Sequence, residues 1–255
     1  MQLVLKSGAT VTGVRQGRGP ELLVLHSLLT DAGAFDTVLP ELAKDYTVTI
    51  LNLPGFRGST PIAASLDAYV DWIDEAATAF GMEAPATVLG NGFGGTLAVA
   101  FTLGRPERVT RLIVCDAAAG FPEQGKQAFR VMQEKVAAGG LGSVAEIAAN
   151  RVFHAEYIAA NPGVIEERRK ALMAIHPDAF QAACTMLIGC DLVGKLASIK
   201  AETLVICGEL DQATPPALGR VIAQNVPGGR YIELPKIGHC PPLEAPAAFL
   251  AAFRS

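Results

Sequence analysis

Leu89-Gly90-Asn91-Gly92-Phe93-Gly94-Gly95 follows an apolar run, Thr87-Val88-Leu89, and opens a helical stretch over residues 94–103. A strand that turns at once into a helix brings two backbones close together, so the crossing points admit only small residues. The spacing Gly90-x-Gly92-x-Gly94 is that of G-x-S-x-G, the tight elbow that lifts a nucleophile off the end of a strand. The central residue of such a turn is forced to positive φ, at a cost of ~1–3 kcal/mol for a residue with a Cβ. Glycine at 92 removes that strain and also the hydroxyl.

Outward from this turn, short β-branched runs recur: Leu22-Leu23-Val24-Leu25, Val48-Thr49-Ile50-Leu51, Leu112-Ile113-Val114-Cys115 and Leu204-Val205-Ile206-Cys207. Runs this apolar suit strands buried on both faces of a parallel sheet. Helices are expected between them over residues 32–42, 66–80, 217–224 and 246–253, and this alternation predicts a doubly wound α/β fold. Leu3-Val4-Leu5 and Thr10-Val11-Thr12-Gly13-Val14 read as an antiparallel edge. From 121 to 199 the strand pattern stops, and helices are expected near 127–138, 144–149, 165–175 and 179–190. The division is a core of residues 1–120 and 200–255 with an inserted helical lid, or cap, of 121–199. The lid run Glu166-Glu167-Arg168-Arg169-Lys170 reads as a solvated helix face.

Half of the 255 residues are hydrophobic, enough for a sizeable core, and the formal net charge of −4 is carried by scattered groups. That balance offers no footprint for nucleic acid or an anionic membrane. No apolar run reaches the ~18 residues that span a bilayer, and the N-terminus has no leader pattern. A cytoplasmic protein with a small-molecule substrate is expected; its oligomeric state is not legible. Cys115, Cys184, Cys190, Cys207 and Cys240 are odd in number and show no CxxC spacing, so they read as buried free thiols. No cofactor and no metal is expected.

Downstream of the elbow, Gly208-Glu209-Leu210-Asp211 puts a carboxylate after a strand end, and Ile237-Gly238-His239-Cys240 puts a histidine before the last helix. The order elbow, acid, base is that of a catalytic relay in which the carboxylate orients the imidazole and stabilises its cation. Asp211 and His239 are the expected pair, with Asp116 a weaker alternative acid. Upstream, Leu25-His26-Ser27-Leu28 leads from a strand into a helix, where backbone N–H groups of Ser27 or Leu28 would join that of Phe93 in an oxyanion hole. On these residues, with Asn52-Leu53-Pro54-Gly55-Phe56-Arg57-Gly58-Ser59 added, nearly the whole chain resembles the α/β-hydrolase superfamily, closest to its 3-oxoadipate enol-lactonase-like branch. That resemblance implies an ester- or lactone-cleaving enzyme. The elbow departs from it, for glycine stands where the family has its catalytic serine.

Three readings of Gly92 follow. With the hydroxymethyl group gone, a water beneath the oxyanion hole could be activated by His239 and attack a lactone, ester or activated C–C bond without an acyl-enzyme. The alternative within this reading is that His239 draws a proton from the substrate, as in a lyase or isomerase. Alternatively the chain is a non-catalytic binding relative, or a serine hydrolase in which serine has been replaced by glycine. Ser27 is expected to brace the oxyanion loop rather than act as a nucleophile, and Cys240 to be inert. Phe93, Phe56, Phe129, Arg130, Phe153 and His154 are available as substrate contacts, with Arg130 a candidate carboxylate anchor. Trp72 reads as packing.

Overall fold

The computed structural model describes all 255 residues. Its eight strands are β1 (Gln2–Val4), β2 (Thr10–Gly17), β3 (Glu21–Leu25), β4 (Thr47–Asn52), β5 (Ala86–Asn91), β6 (Val109–Cys115), β7 (Glu202–Gly208) and β8 (Arg230–Leu234). They form one sheet in the order β1-β2-β4-β3-β5-β6-β7-β8. β2 runs antiparallel to both its neighbours, as the N-terminal hairpin pattern leads one to expect, and the remaining pairs are parallel. Leu22, Leu23, Val24 and Leu25 of β3 are fully buried, because helices cover both faces of this central strand.

The helices are α1 (Leu39–Leu42), α2 (Leu66–Ala79), α3 (Phe93–Gly104), α4 (Glu123–Gly139), α5 (Ala145–Val152), α6 (Ala155–Ala160), α7 (Val164–Met173), α8 (Pro177–Gly189), α9 (Pro216–Asn225), α10 (Pro241–Glu244) and α11 (Pro246–Phe253). α4 to α8 lie between β6 and β7. None of the helices is long and apolar enough to cross a membrane.

The expected helix over 32–42 is instead a 3₁₀ turn (Ala32–Phe35) and the one-turn α1. Asp31 starts the first as its N-cap, accepting from Gly33 N (2.8 Å), and Asp36 N closes it by donating to Gly33 O. β8 was not expected, since Arg-Tyr-Ile-Glu-Leu is a half-exposed edge without the apolar density of the central strands. Trp72 is buried packing in α2, and all five cysteines are buried and unpaired. On the Glu166–Lys170 face Arg169 pairs with Glu166 at the surface, whereas Nε and Nη1 of Arg168 are buried, so that run is only partly a solvated face.

This topology decides where a site can form. From β3 the chain first adds β4 on one side and then crosses to add β5 on the other, leaving a crevice at the carboxyl ends of β3 and β5. Ser27 follows β3 and Gly92 follows β5. Asp116, Asp211 and His239 lie beyond the ends of β6, β7 and β8 at the same edge.

Candidate active site

Gly92 adopts φ +56 and ψ −118 as it caps α3, a conformation that favours glycine. Its N–H donates to Cys115 O (2.9 Å) and that of Gly94 to His26 O (3.0 Å), tying the turn to its neighbours on both sides. A Cβ on Gly94 would collide with Leu25 O, and one on Gly90 with Gly94 O. The flanking glycines are therefore imposed by the close approach of strand and helix. Asn91 Nδ2 donates to Cys115 O (3.2 Å) and to His239 O (3.0 Å), so the elbow also holds the histidine loop.

His239 and Asp211 meet as expected, with Nδ1 2.9 Å from Oδ2 and both side chains buried. Asp211 Oδ1 accepts from Ala213 N (2.7 Å) and Thr214 N (3.0 Å), which fixes the carboxylate. With Nδ1–H on the aspartate, the Nε2 lone pair is the free end of the imidazole. The group standing on it is the Ser27 hydroxyl, whose Oγ lies 3.2 Å from Nε2. A Cβ built on Gly92 would lie 2.5 Å from Ser27 Oγ and 2.7 Å from His239 Nε2. The serine of the β3 loop thus occupies space that a side chain at 92 would need, which the sequence reading, centred on the backbone of Ser27, did not anticipate.

The candidate backbone donors follow the ends of β3 and β5. His26 Nε2 accepts from Leu53 N (3.0 Å), so its Nδ1 carries the proton and donates to Ser27 O (2.8 Å). Burial lowers the His26 pKa to about 4, which keeps this ring neutral. Because C=O and N–H point opposite ways in a trans peptide, anchoring Ser27 O on His26 turns the Leu28 N–H away from His26. Phe93 is the first residue of its helix, so its N–H has no intrahelical acceptor. Leu28 and Phe93 both line the cavity over Gly92.

Asp116 is not the acid that faces the histidine. Its Oδ1 accepts from Gly208 N (2.7 Å) and its Oδ2 lies 3.4 Å from Cys115 Sγ. Burial, reinforced by the charge of Asp211, pushes its pKa well above the carboxylate range. Cys240 is fully buried, and burial raises its thiol pKa to about 12, leaving negligible thiolate for nucleophilic use.

The centre of a water molecule has ≈ 30 Å³ to move in within this cavity, room for one or two waters. Its walls include Phe93, Phe129 and, unforeseen from sequence, Phe121, Met132, Leu187 and Arg151. Several expected contacts lie elsewhere. Arg130 pairs with Glu123 on the surface, Phe56 packs edge-on against His26, Phe153 stacks on Tyr157 and His154 pairs with Glu244. The helices between β6 and β7 carry weak individual signals, so which of their faces turns inward is decided only by packing. The larger ≈ 870 Å³ groove between α2, α3 and the segment before β7 contains none of these residues.

A family model described as "Alpha/beta hydrolase family" matches residues 22–252. The pimeloyl-acyl-carrier-protein methyl ester esterase of Aeromonas hydrophila is 24% identical over 247 residues, which cover 94% of this chain and 96% of that protein. Its counterpart in Nitrosomonas europaea is 25% identical over 249 residues, covering 93% and 95%. Among solved structures, a thermophilic esterase from Thermogutta terrifontis, with malate bound, superposes with a TM-score of 0.90 at 26% identity, covering 100% of this chain and 96% of that one. The enol-lactonase from Burkholderia xenovorans superposes with a TM-score of 0.92 at 23% identity over the full length of both chains, a likeness of fold.

Proposed function

The chain belongs to the alpha/beta hydrolase family, and on that premise we propose that it hydrolyses a small reactive carbonyl compound, an ester or lactone, with His239 as general base. The observation that carries this reading is the buried Asp211–His239 pair, whose free Nε2 points at a hydroxyl in a water-sized cavity beside an elbow without a side chain. In this reading residues 121–199 are a cap over the core of 1–120 and 200–255. Nε2 takes a proton from a water in the cavity as its oxygen attacks the carbonyl. The N–H groups of Leu28 and Phe93 receive the developing oxyanion, and Asp211 stabilises the imidazolium. The imidazolium then returns its proton to the leaving alkoxide, so ester and water become acid and alcohol.

A second reading is favoured by the 3.2 Å contact between Ser27 Oγ and His239 Nε2. Here Ser27 replaces the missing elbow serine: its proton passes through Nε2 to the departing alkoxide as its oxygen takes the acyl group, and in a second step water, giving its proton through Nε2 back to Ser27 Oγ, releases that group as the acid.

The test is turnover of a panel of aryl esters and small lactones, coupled to labelling with a fluorophosphonate probe read by intact mass. His239→Ala is expected to lose about 10²–10⁴-fold in kcat, the range that general-base catalysis contributes; unchanged turnover overturns both routes. An adduct that disappears in Ser27→Ala together with turnover selects the serine route. Turnover without an adduct, surviving in Ser27→Ala, selects water. No turnover of any ligand that binds would leave a binding protein.

A further inference from the structure

Most arginines of this chain pair with carboxylates, as Arg15 does with Glu21 and Arg111 with Glu202. Arg151 does not. It lies near the end of the lid helix α5, partly buried, and lines the same cavity as Ser27, Gly92 and His239. A guanidinium offers five N–H donors in a rigid fork. Arg151 makes one hydrogen bond to the protein, from Nη2 to Ala213 O (3.1 Å).

The acid whose charge acts on Arg151 is Asp211, which partly opposes the downward pull of burial on its pKa. Asp211 does not ion-pair with it, because its oxygens are already held by Ala213 N, Thr214 N and His239 Nδ1. The remaining walls are chiefly apolar. A permanently charged fork therefore lines a small, largely apolar cavity without a carboxylate of the protein to pair with it.

We infer that Arg151 anchors a carboxylate carried by the substrate, which makes the substrate a short half-ester, or a lactone with a free acid group, rather than a neutral ester. One guanidinium matches one carboxylate in charge and in bidentate geometry. The small cavity keeps the anchored acid within a few bonds of the reacting carbonyl. The inference rests on the hydrolase reading for the identity of the reacting group, and on Arg151 alone for the anion.

The experiment compares monomethyl succinate with methyl butyrate, which have similar shapes and differ in charge. The unmodified enzyme is expected to favour the half-ester in kcat/KM. In Arg151→Met the ratio of the two kcat/KM values should fall roughly 10–100-fold, the effect of one hydrogen-bonded charge, with Arg151→Lys in between. An unchanged ratio overturns the anchor and leaves Arg151 as a counter-charge to Asp211. The second arm titrates His239→Ala with monomethyl succinate by calorimetry, with and without Arg151→Met. Binding that needs Arg151, with no ester turned over by the unmodified chain, keeps the anchor and refutes the hydrolase. Ester turnover with no Arg151-dependent binding does the reverse.

Discussion

Burial, reinforced by the charge of Asp211, raises the pKa of Asp116 well above its ordinary value. Its φ of +45 shows the backbone bent to place it there, a conformation aspartate tolerates better than most residues. Asparagine keeps the shape of this side chain and the Oδ1 that accepts from Gly208 N, so Asp116→Asn is expected to change kcat little and stability by less than about 1 kcal/mol. Asp211→Asn, which removes the acceptor for Nδ1–H, should lower kcat by about 10²–10⁴-fold. Steady-state kinetics and thermal melts of the two variants check the assignment, and equal losses would refute it. Both aspartates follow apolar runs, so sequence order singled out Asp211 and left Asp116 open. What separates them, the contact of Asp211 with His239 Nδ1 and that of Asp116 with Gly208 N, comes from loops that meet only in the fold.

At the scale of the element, the strand, turn and helix around Gly92 were legible because each has a strong local cause: apolar density in β5, glycines at the crossing, and a helix buried along most of its length. β8 escaped because an edge strand needs no apolar run, and the 32–42 stretch divides after Phe35, where Asp36 N donates to Gly33 O and closes the 3₁₀ turn. The contact of Ser27 with Nε2 joins residues 212 positions apart, beyond the reach of any local pattern. It also governs what the elbow tolerates. Gly92→Ser should destabilise the chain by about 1–3 kcal/mol through its positive φ, with a further loss because its Cβ would press on Ser27 Oγ. Adding Ser27→Ala should recover part of that loss. Chemical denaturation of the two single variants and the double variant measures the coupling, and strict additivity would refute the shared space.

For the molecule as a whole, the helices between β6 and β7 are fastened to both loops that carry the candidate relay. Arg151 reaches Ala213 O, His239 N donates to Val152 O (2.9 Å), and His154 Nε2 lies 3.0 Å from Glu244 Oε1. Glu244 also accepts from Gly238 N, and burial raises its pKa to about 7 from 4.5. The folded chain therefore keeps a proton that the unfolded chain has lost between those values, so this group's contribution to stability declines as pH rises from about 4.5 to 7 and levels off above. In Glu244→Gln that decline is expected to be absent. Melting temperature against pH for both proteins checks it, and parallel curves would refute it. The sequence marked the helical insertion, but not its fastening: His154 and Glu244 are separated by α6 to α8, β7, α9 and β8, with no motif linking them.

The bond from His239 N to Val152 O has one more consequence. A ligand long enough to prop α5 away from the core must part this bond and unseat the very imidazole it needs. Such a molecule would lodge against a disarmed base and leave unchanged, whereas one short enough to be enclosed would meet His239 in register. The protein would then sort its ligands by length before any bond is broken, using no wall at the far end of a tunnel, only the thread that ties its roof to its base.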